Sequence, residues 1–160
     1  MIVANASSII SFARAKKLDL LKQVVKNLII PEAVYEEIVI KGSSKAGAAE
    51  VKSALWIEVG NIIDRSKLAG LPDKLGQGEK EAIILAEEQD TSLLIDDPQA
   101  RKEAQRRRLK LISSPNILQE AKYQNLIPSV REVLDDLVRG GFRISDKVYR
   151  DILKQAEEEH

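Results

Sequence analysis

No cysteine occurs among these 160 residues. That absence excludes disulfides, thiolate-bound zinc and cysteine nucleophiles. Histidine is reduced to His160, the last position, which argues against a Ser-His-Asp triad or an imidazole-based metal site. Aromatic residues make up 4% of the chain, too few for a base-stacking platform that reads single strands by sequence. No apolar run approaches the roughly 20 residues that cross a bilayer, and no basic stretch leads into a long apolar core. The expected location is therefore the cytoplasm. Twenty-five Lys and Arg balance 25 Asp and Glu, so contact with nucleic acid has to come from a local patch and not from a global field. Carboxylates, hydroxyls, amides, Lys and Arg are what remains for chemistry.

Hydrophobic residues are 44% and charged residues 31%, a composition that suits one globular domain with a real core. Strand-like runs alternate with helical periods. Ile2 to Ala4, "NLIIP", "LWIEV", "SLLID" and "LKLIS" read as five short strands. Between them the pattern predicts a helix from about Ile9 to Val25 capped by Ser8, and a helix opening at Pro31. Further helices are expected over "GEKEAIILAEEQ", over "PQARKEAQRRR" and after Ser114-Pro115, while Gly42 to Ala49 suits either a loop or a weak Ala-rich helix. From Pro128 onward two helices are expected around Gly140-Gly141, the second capped by Ser145, with the terminal "EEEH" frayed. Five strands alternating with helices imply a three-layer α/β/α domain on a parallel sheet. We take residues 1–125 as that domain and 126–160 as a helical extension, packed on it or in a dimer interface through Val148, Tyr149, Ile152 and Leu153.

In such folds sites form beyond the carboxyl ends of the strands, which directs attention to Asn5 and to Asp96-Asp97. Two glutamates join them by helical phase. With Ile30 at zero and about 100° per residue, Glu37 falls at about 340°, within the apolar arc of Ala33, Val34 and Ile38. Glu32 and Glu36 fall toward the opposite face. With Glu79 at zero, Leu75, Ala82, Ile83 and Ala86 lie within about 60° of it, and Glu81 and Glu88 lie near 180–200°. One inward acid is readily the partner of a buried Arg. Several acids gathered from separate elements repel one another unless paired, protonated or bound to a cation. Oxygen-only donors select hard ions, Mg²⁺ or Mn²⁺. Asp97 before Pro98 also makes a good helix cap, and Arg101 stands where it can pair with it.

The stretches "IVANASSII", "IPEAVYEEI", "GEKEAIILA" and "LLIDDPQARKEA", in this order and spacing, resemble the PIN-domain family, metal-dependent nucleases that include the VapC-type toxins. The likeness is strongest to a branch with "LGxGExEAI", "LLIDDxxAR" and a tail like "IPSVREVLDDLVRGGFRISDKVY". It implies a Mg²⁺- or Mn²⁺-dependent ribonuclease that leaves 5′-phosphate and 3′-hydroxyl ends, and a place as the toxin beside an antitoxin protein. It puts metal-ligand positions on Asn5, Glu37, Glu79 and Asp97, with Asp96 an alternative to Asp97. Ser7 falls on a small hydroxyl position beside the first of these. Two departures stand out: Asn5 replaces an acid, and Ile95 stands where many relatives have Thr. Asn5 lowers the charge of the pocket, so a weak or inactive RNA- or protein-binding module is the alternative reading. RNA contacts are expected from Ser7, Arg14 and Arg101, with further basic residues at Lys16-Lys17 and Arg106 to Arg108. A receiver-type phospho-acceptor fold would need an acidic pair after the first strand, and this chain has Asn-Ala there.

Overall fold

The computed structural model describes residues 1–159. Five strands form one parallel sheet: β1 (Ile2–Ala4), β2 (Leu28–Pro31), β3 (Ile57–Gly60), β4 (Leu93–Leu94) and β5 (Leu111–Ile112). Their spatial order is β3-β2-β1-β4-β5. The chain therefore winds outward in one direction from β1 and then in the other from β4, which places the switch point between β1 and β4. The inner strands read as continuous apolar runs because both faces are covered: β2 is buried throughout, as are Val3, Ala4, Leu93 and Leu94. The outer strand β3 exposes Glu58 and Val59, a charged edge that discourages pairing with another sheet.

The helices are α1 (Ala6–Arg14), α2 (Leu18–Val25), α3 (Glu32–Tyr35), α4 (Ala48–Ser53), α5 (Gln77–Gln89), α6 (Pro98–Arg106), α7 (Ser114–Tyr123), α8 (Val130–Arg139) and α9 (Asp146–Gln155). One core gathers Ile9, Phe12, Leu21, Ile38, Leu118, Leu134 and their neighbours, and the other gathers Ile83, Leu85, Ile95 and Ala104. They lie on opposite sides of the sheet, since Val3 and Leu93 belong to one and Ala4 and Leu94 to the other. No helix among the described residues is long and apolar enough to cross a membrane.

The structure departs from the sequence pattern in four places that bear on the site. The expected single helix to Val25 is two. Lys16 adopts a left-handed φ of 58°, so the apolar faces of α1 and α2 are set independently against the core. The first helix starts at Ala6 with Asn5 in the cap position, and Ser8 is not a cap. The helix after Pro31 begins as α3 and widens into a π-type turn over Glu36–Ile40, with the Lys41 N–H reaching back to the Glu36 carbonyl. Glu37 lies with Val34 on the side facing Gly78, the side expected from phase, but it is exposed and not buried in the core. Finally, Ser113 and not Ser114 caps α7: its Oγ accepts from Asn116 N–H, and its own N–H donates to Asn116 Oδ1.

The chain end is held, contrary to the expected fraying; His160 lies outside the described residues. Glu158 is buried and its carboxylate accepts from the N–H groups of Val130 and Arg131, the Ser129 hydroxyl and the Lys122 ammonium. It thus closes the N-terminus of α8, where backbone donors lack partners and negative charge is favoured. Burial pushes this carboxyl upward, and the hydrogen bonds from Arg131, Lys122, Val130 and Ser129 outweigh it, holding the group down at about 2. The C-terminal apolar stripe is covered in large part within the chain: Ile152 and Leu153 are buried, Tyr149 donates to Asp135, and Val148 stays exposed. Because Glu158 is depressed on folding, its contribution is present above the ordinary value of 4.5 and disappears as pH falls toward about 2. Glu158→Ala is expected to cost about 2–4 kcal/mol at neutral pH in urea unfolding, with the deficit shrinking steadily below pH ~4.

Candidate metal centre

Candidate groups follow the carboxyl ends of β1, β2 and β4. Asn5 follows β1 directly and is 3% exposed. An Asn in a cap position normally spends its side chain on the helix N–H groups, and here it makes no such bond. Its Nδ2 lies 3.5 Å from Ser7 Oγ, which leaves Oδ1 turned toward α5. The marker of that direction is Gly78: a Cβ there would stand 3.8 Å from Asn5 Oδ1 and 3.2 Å from Glu37 Oε1. Gly78 therefore allows the first turn of α5 to close on α3 and brings the Asn5 amide and the Glu37 carboxylate to the same spot.

Glu79 is the next residue. Its Oε1 accepts from the Gly76 N–H at 2.9 Å, the only half of a capping box that a glycine permits, and its other oxygen has no donor among the described residues. Burial raises its proton affinity, the Gly76 N–H opposes this, and the charges of Asp97 and Glu37 add to the rise. Those last contributions place all three carboxylates within one electrostatic neighbourhood. Asp97 caps α6 through Oδ2, which accepts from Ala100 N–H at 2.9 Å, and its Oδ1 likewise has no donor among the described residues.

Asp96 behaves differently from its neighbour. Its Oδ1 accepts from Ser114 N–H at 2.8 Å, and its Oδ2 accepts from the hydroxyls of Ser8 at 2.7 Å and Ser114 at 2.5 Å. Both oxygens are thus committed to fastening α1 and α7 to the end of β4. Arg101 does not pair with Asp97. Its guanidinium donates to the carbonyls of Ile95 at 2.6 Å and Ile112 at 3.5 Å, closing the ends of β4 and β5. Ser7 is exposed beside Asn5, and Arg14 leans on the turn after α8 with a 3.3 Å bond to the Gly140 carbonyl.

Two glutamates assigned by phase to the solvent side of α5 are structural. Glu81 is buried and accepts from Ala33 N–H, Gln77 and Arg65. Glu88 accepts from the N–H groups of Ile63 and Asp64 and from Lys67. Helix α5 is covered on both sides, and a single-face wheel has no means of showing that.

Oxygen donors alone, three of them anionic and one an amide carbonyl, match the chemistry of a hard divalent ion. Among the described residues no three acidic side chains already stand close enough to hold one, so the donor set fits in kind and not as a finished coordination shell. A PIN-domain family model (DUF3368) matches residues 1–158. A PilT N-terminus domain protein from the hyperthermophilic archaeon Sulfolobus solfataricus has a similar fold, with a TM-score of 0.52 at 16% identity, over 91% of this chain and 100% of that one. No curated protein matches the chain.

Holding Glu79 ionised costs stability at neutral pH, because its folded-state proton affinity is raised. Glu79→Gln preserves the acceptor for Gly76 and is expected to raise Tm by a few degrees at pH 7. The gap should close as pH falls through the Glu79 titration, where the wild-type carboxyl is also neutral. An unchanged or lowered Tm at pH 7 would remove the electrostatic crowding inferred for the site.

Proposed function

This chain belongs to the PIN-domain family, whose members are generally nucleases, and on that premise we propose that it is a divalent-metal-dependent ribonuclease of reduced activity. The observation that supports this reading is that Glu37 and the Asn5 amide face one point beside Gly78, while the charges of Glu37 and Asp97 are felt at Glu79, next to it in the chain. Charges are not gathered this way for stability, since each raises the cost of the others.

Asn5 Oδ1, Glu37, the second oxygen of Glu79 and Asp97 Oδ1 would hold Mg²⁺ or Mn²⁺. A bound ion would acidify its water and offset charge on the phosphate. The chain's own residues do the remaining work. Glu79, with its raised proton affinity, is suited to take the proton of the attacking water. Water adds to phosphorus, the bond to the 3′ oxygen breaks, and the products carry a 5′-phosphate and a 3′-hydroxyl. Asn5 supplies an oxygen without a charge, so the pocket carries three negative charges where an Asp would make four. That one substitution favours the second reading, a PIN-like module that binds RNA or a protein and cleaves slowly or not at all. Service as a toxin with an antitoxin partner, and self-association through the C-terminal helices, belong to the same proposal.

The test is cleavage of varied single-stranded RNAs with Mn²⁺ or Mg²⁺. Wild type is expected to cut slowly, Glu79→Gln to lose about 10²-fold or more, and Asn5→Asp to gain at least about tenfold through tighter metal binding. Cleavage that survives Glu79→Gln, or that needs no divalent ion, would contradict the assignment. Cleavage seen only in Asn5→Asp would establish the binding-module reading.

A further inference from the structure

The sequence offers two basic clusters near the acidic crevice, and the structure separates them sharply. On α6 the arginines are already engaged, while Lys102 is in no ion pair among the described residues. Arg106 and Arg107 bond to Glu103, Arg107 also bonds to Glu87, and Arg101 is turned onto strand carbonyls. On the other side, Arg14, Lys16, Lys17, Lys41 and Lys45 take part in no ion pair among the described residues.

These residues line two grooves that share a wall. One, of about 230 Å³, is bordered by Glu37, Arg14, Lys41 and Lys45. The other, of about 340 Å³, is bordered by Arg14, Lys16, Lys17 and Arg139. Arg14 borders both, which sets them side by side along a path whose near end is Glu37, a carboxylate of the candidate metal centre. Its floor is fixed by backbone. The left-handed Lys16 ends α1 and turns Lys16-Lys17 out. Gly141, at φ 112°, lets the turn after α8 pass within 3.0 Å of Arg14 Nη1 from the position a Cβ would take. Besides Glu37, Asp136 is the acid that borders these grooves, and it is paired with Arg139.

We propose that this path binds the sugar-phosphate backbone of the RNA strand flanking the scissile phosphate, leaving the α6 cluster outside the substrate track. The inference deepens the ribonuclease reading, and it gives the C-terminal segment a role: the turn after α8, a helix latched by Glu158, supplies the Gly140 carbonyl that positions Arg14. Recognition is by charge, since no aromatic residue lines either groove.

The experiment measures binding of a fluorescent oligouridylate to the full chain in EDTA, over a series of salt concentrations, so that cleavage plays no part. Three variants carry the same charge change: Lys41→Glu with Lys45→Glu, Lys16→Glu with Lys17→Glu, and Lys102→Glu with Lys110→Glu on the α6 side. Thermal melts check that each is folded. The first two are expected to weaken binding about tenfold or more at low salt and to lower the salt slope by about 1–2, at ~0.7 per phosphate contact. The third should stay within about twofold of wild type. Equal losses in all three, or no binding by wild type at low salt, would overturn the proposal. Binding that follows this pattern without any metal-dependent cleavage would leave the track standing and defeat the nuclease reading.

Discussion

The carboxyl edge of this sheet is organised around one carboxylate, Asp96. Its two oxygens take hydrogen bonds from Ser8, on the helix after β1, and from both the N–H and hydroxyl of Ser114, on the helix after β5. β4 is only two residues long, too short for ladder bonds alone to fix where its end lies. Charge-assisted bonds of this kind are stronger than neutral ones. They hold the segments that flank the switch point in fixed relation. Asn5 and Asp97, on either side of that clamp, inherit their positions from it.

Adjacent acids with opposite duties explain why the Asp96-Asp97 pair is informative. One residue has no oxygen to spare; the other caps α6 with one oxygen and keeps one open. Gly78 does the same service on the far wall, where the absence of a side chain lets Glu37 and Asn5 face one point. Glu79 completes the group from the first turn of α5. The proton affinity of Glu79 is raised by its burial first, and the charges of Asp97 and Glu37 add to that rise. A stable fold has no use for such crowding, and that gives the functional reading its weight.

Much of this was legible in the residues. Five apolar runs gave the strands, and parallel α/β logic put Asn5 and Asp97 at the productive edge. Glu79 emerged from helical phase because α5 is a regular helix over that stretch. Glu37 was found by the same test, which had its side right and its burial wrong: it shares the Gly78-facing side with Val34 but reaches it from an exposed position. The acids that phase misjudged, Glu81 and Glu88, answer to a loop packed on α5 from outside, which no periodicity encodes. Asp96 could be read as a strand-end acid but not as a clamp, because its partners are 88 and 18 residues away. Glu158 was hidden for the same reason: a short acidic tail looks solvated until the Val130 and Arg131 N–H groups that open α8 are seen beside it.

The division of labour between Asp96 and Asp97 is the claim on which the account rests, and a paired titration reaches it directly. Mn²⁺ affinity by calorimetry and unfolding in urea are measured for Asp96→Asn and Asp97→Asn. Asn caps helices as well as Asp does, so Asp97→Asn is expected to keep its stability within about 0.5 kcal/mol and to bind Mn²⁺ at least about tenfold more weakly. Asp96→Asn is expected to lose about 1–3 kcal/mol while the folded fraction binds Mn²⁺ nearly as wild type does. Loss of metal binding in Asp96→Asn at full stability, with Asp97→Asn unaffected, would contradict the account.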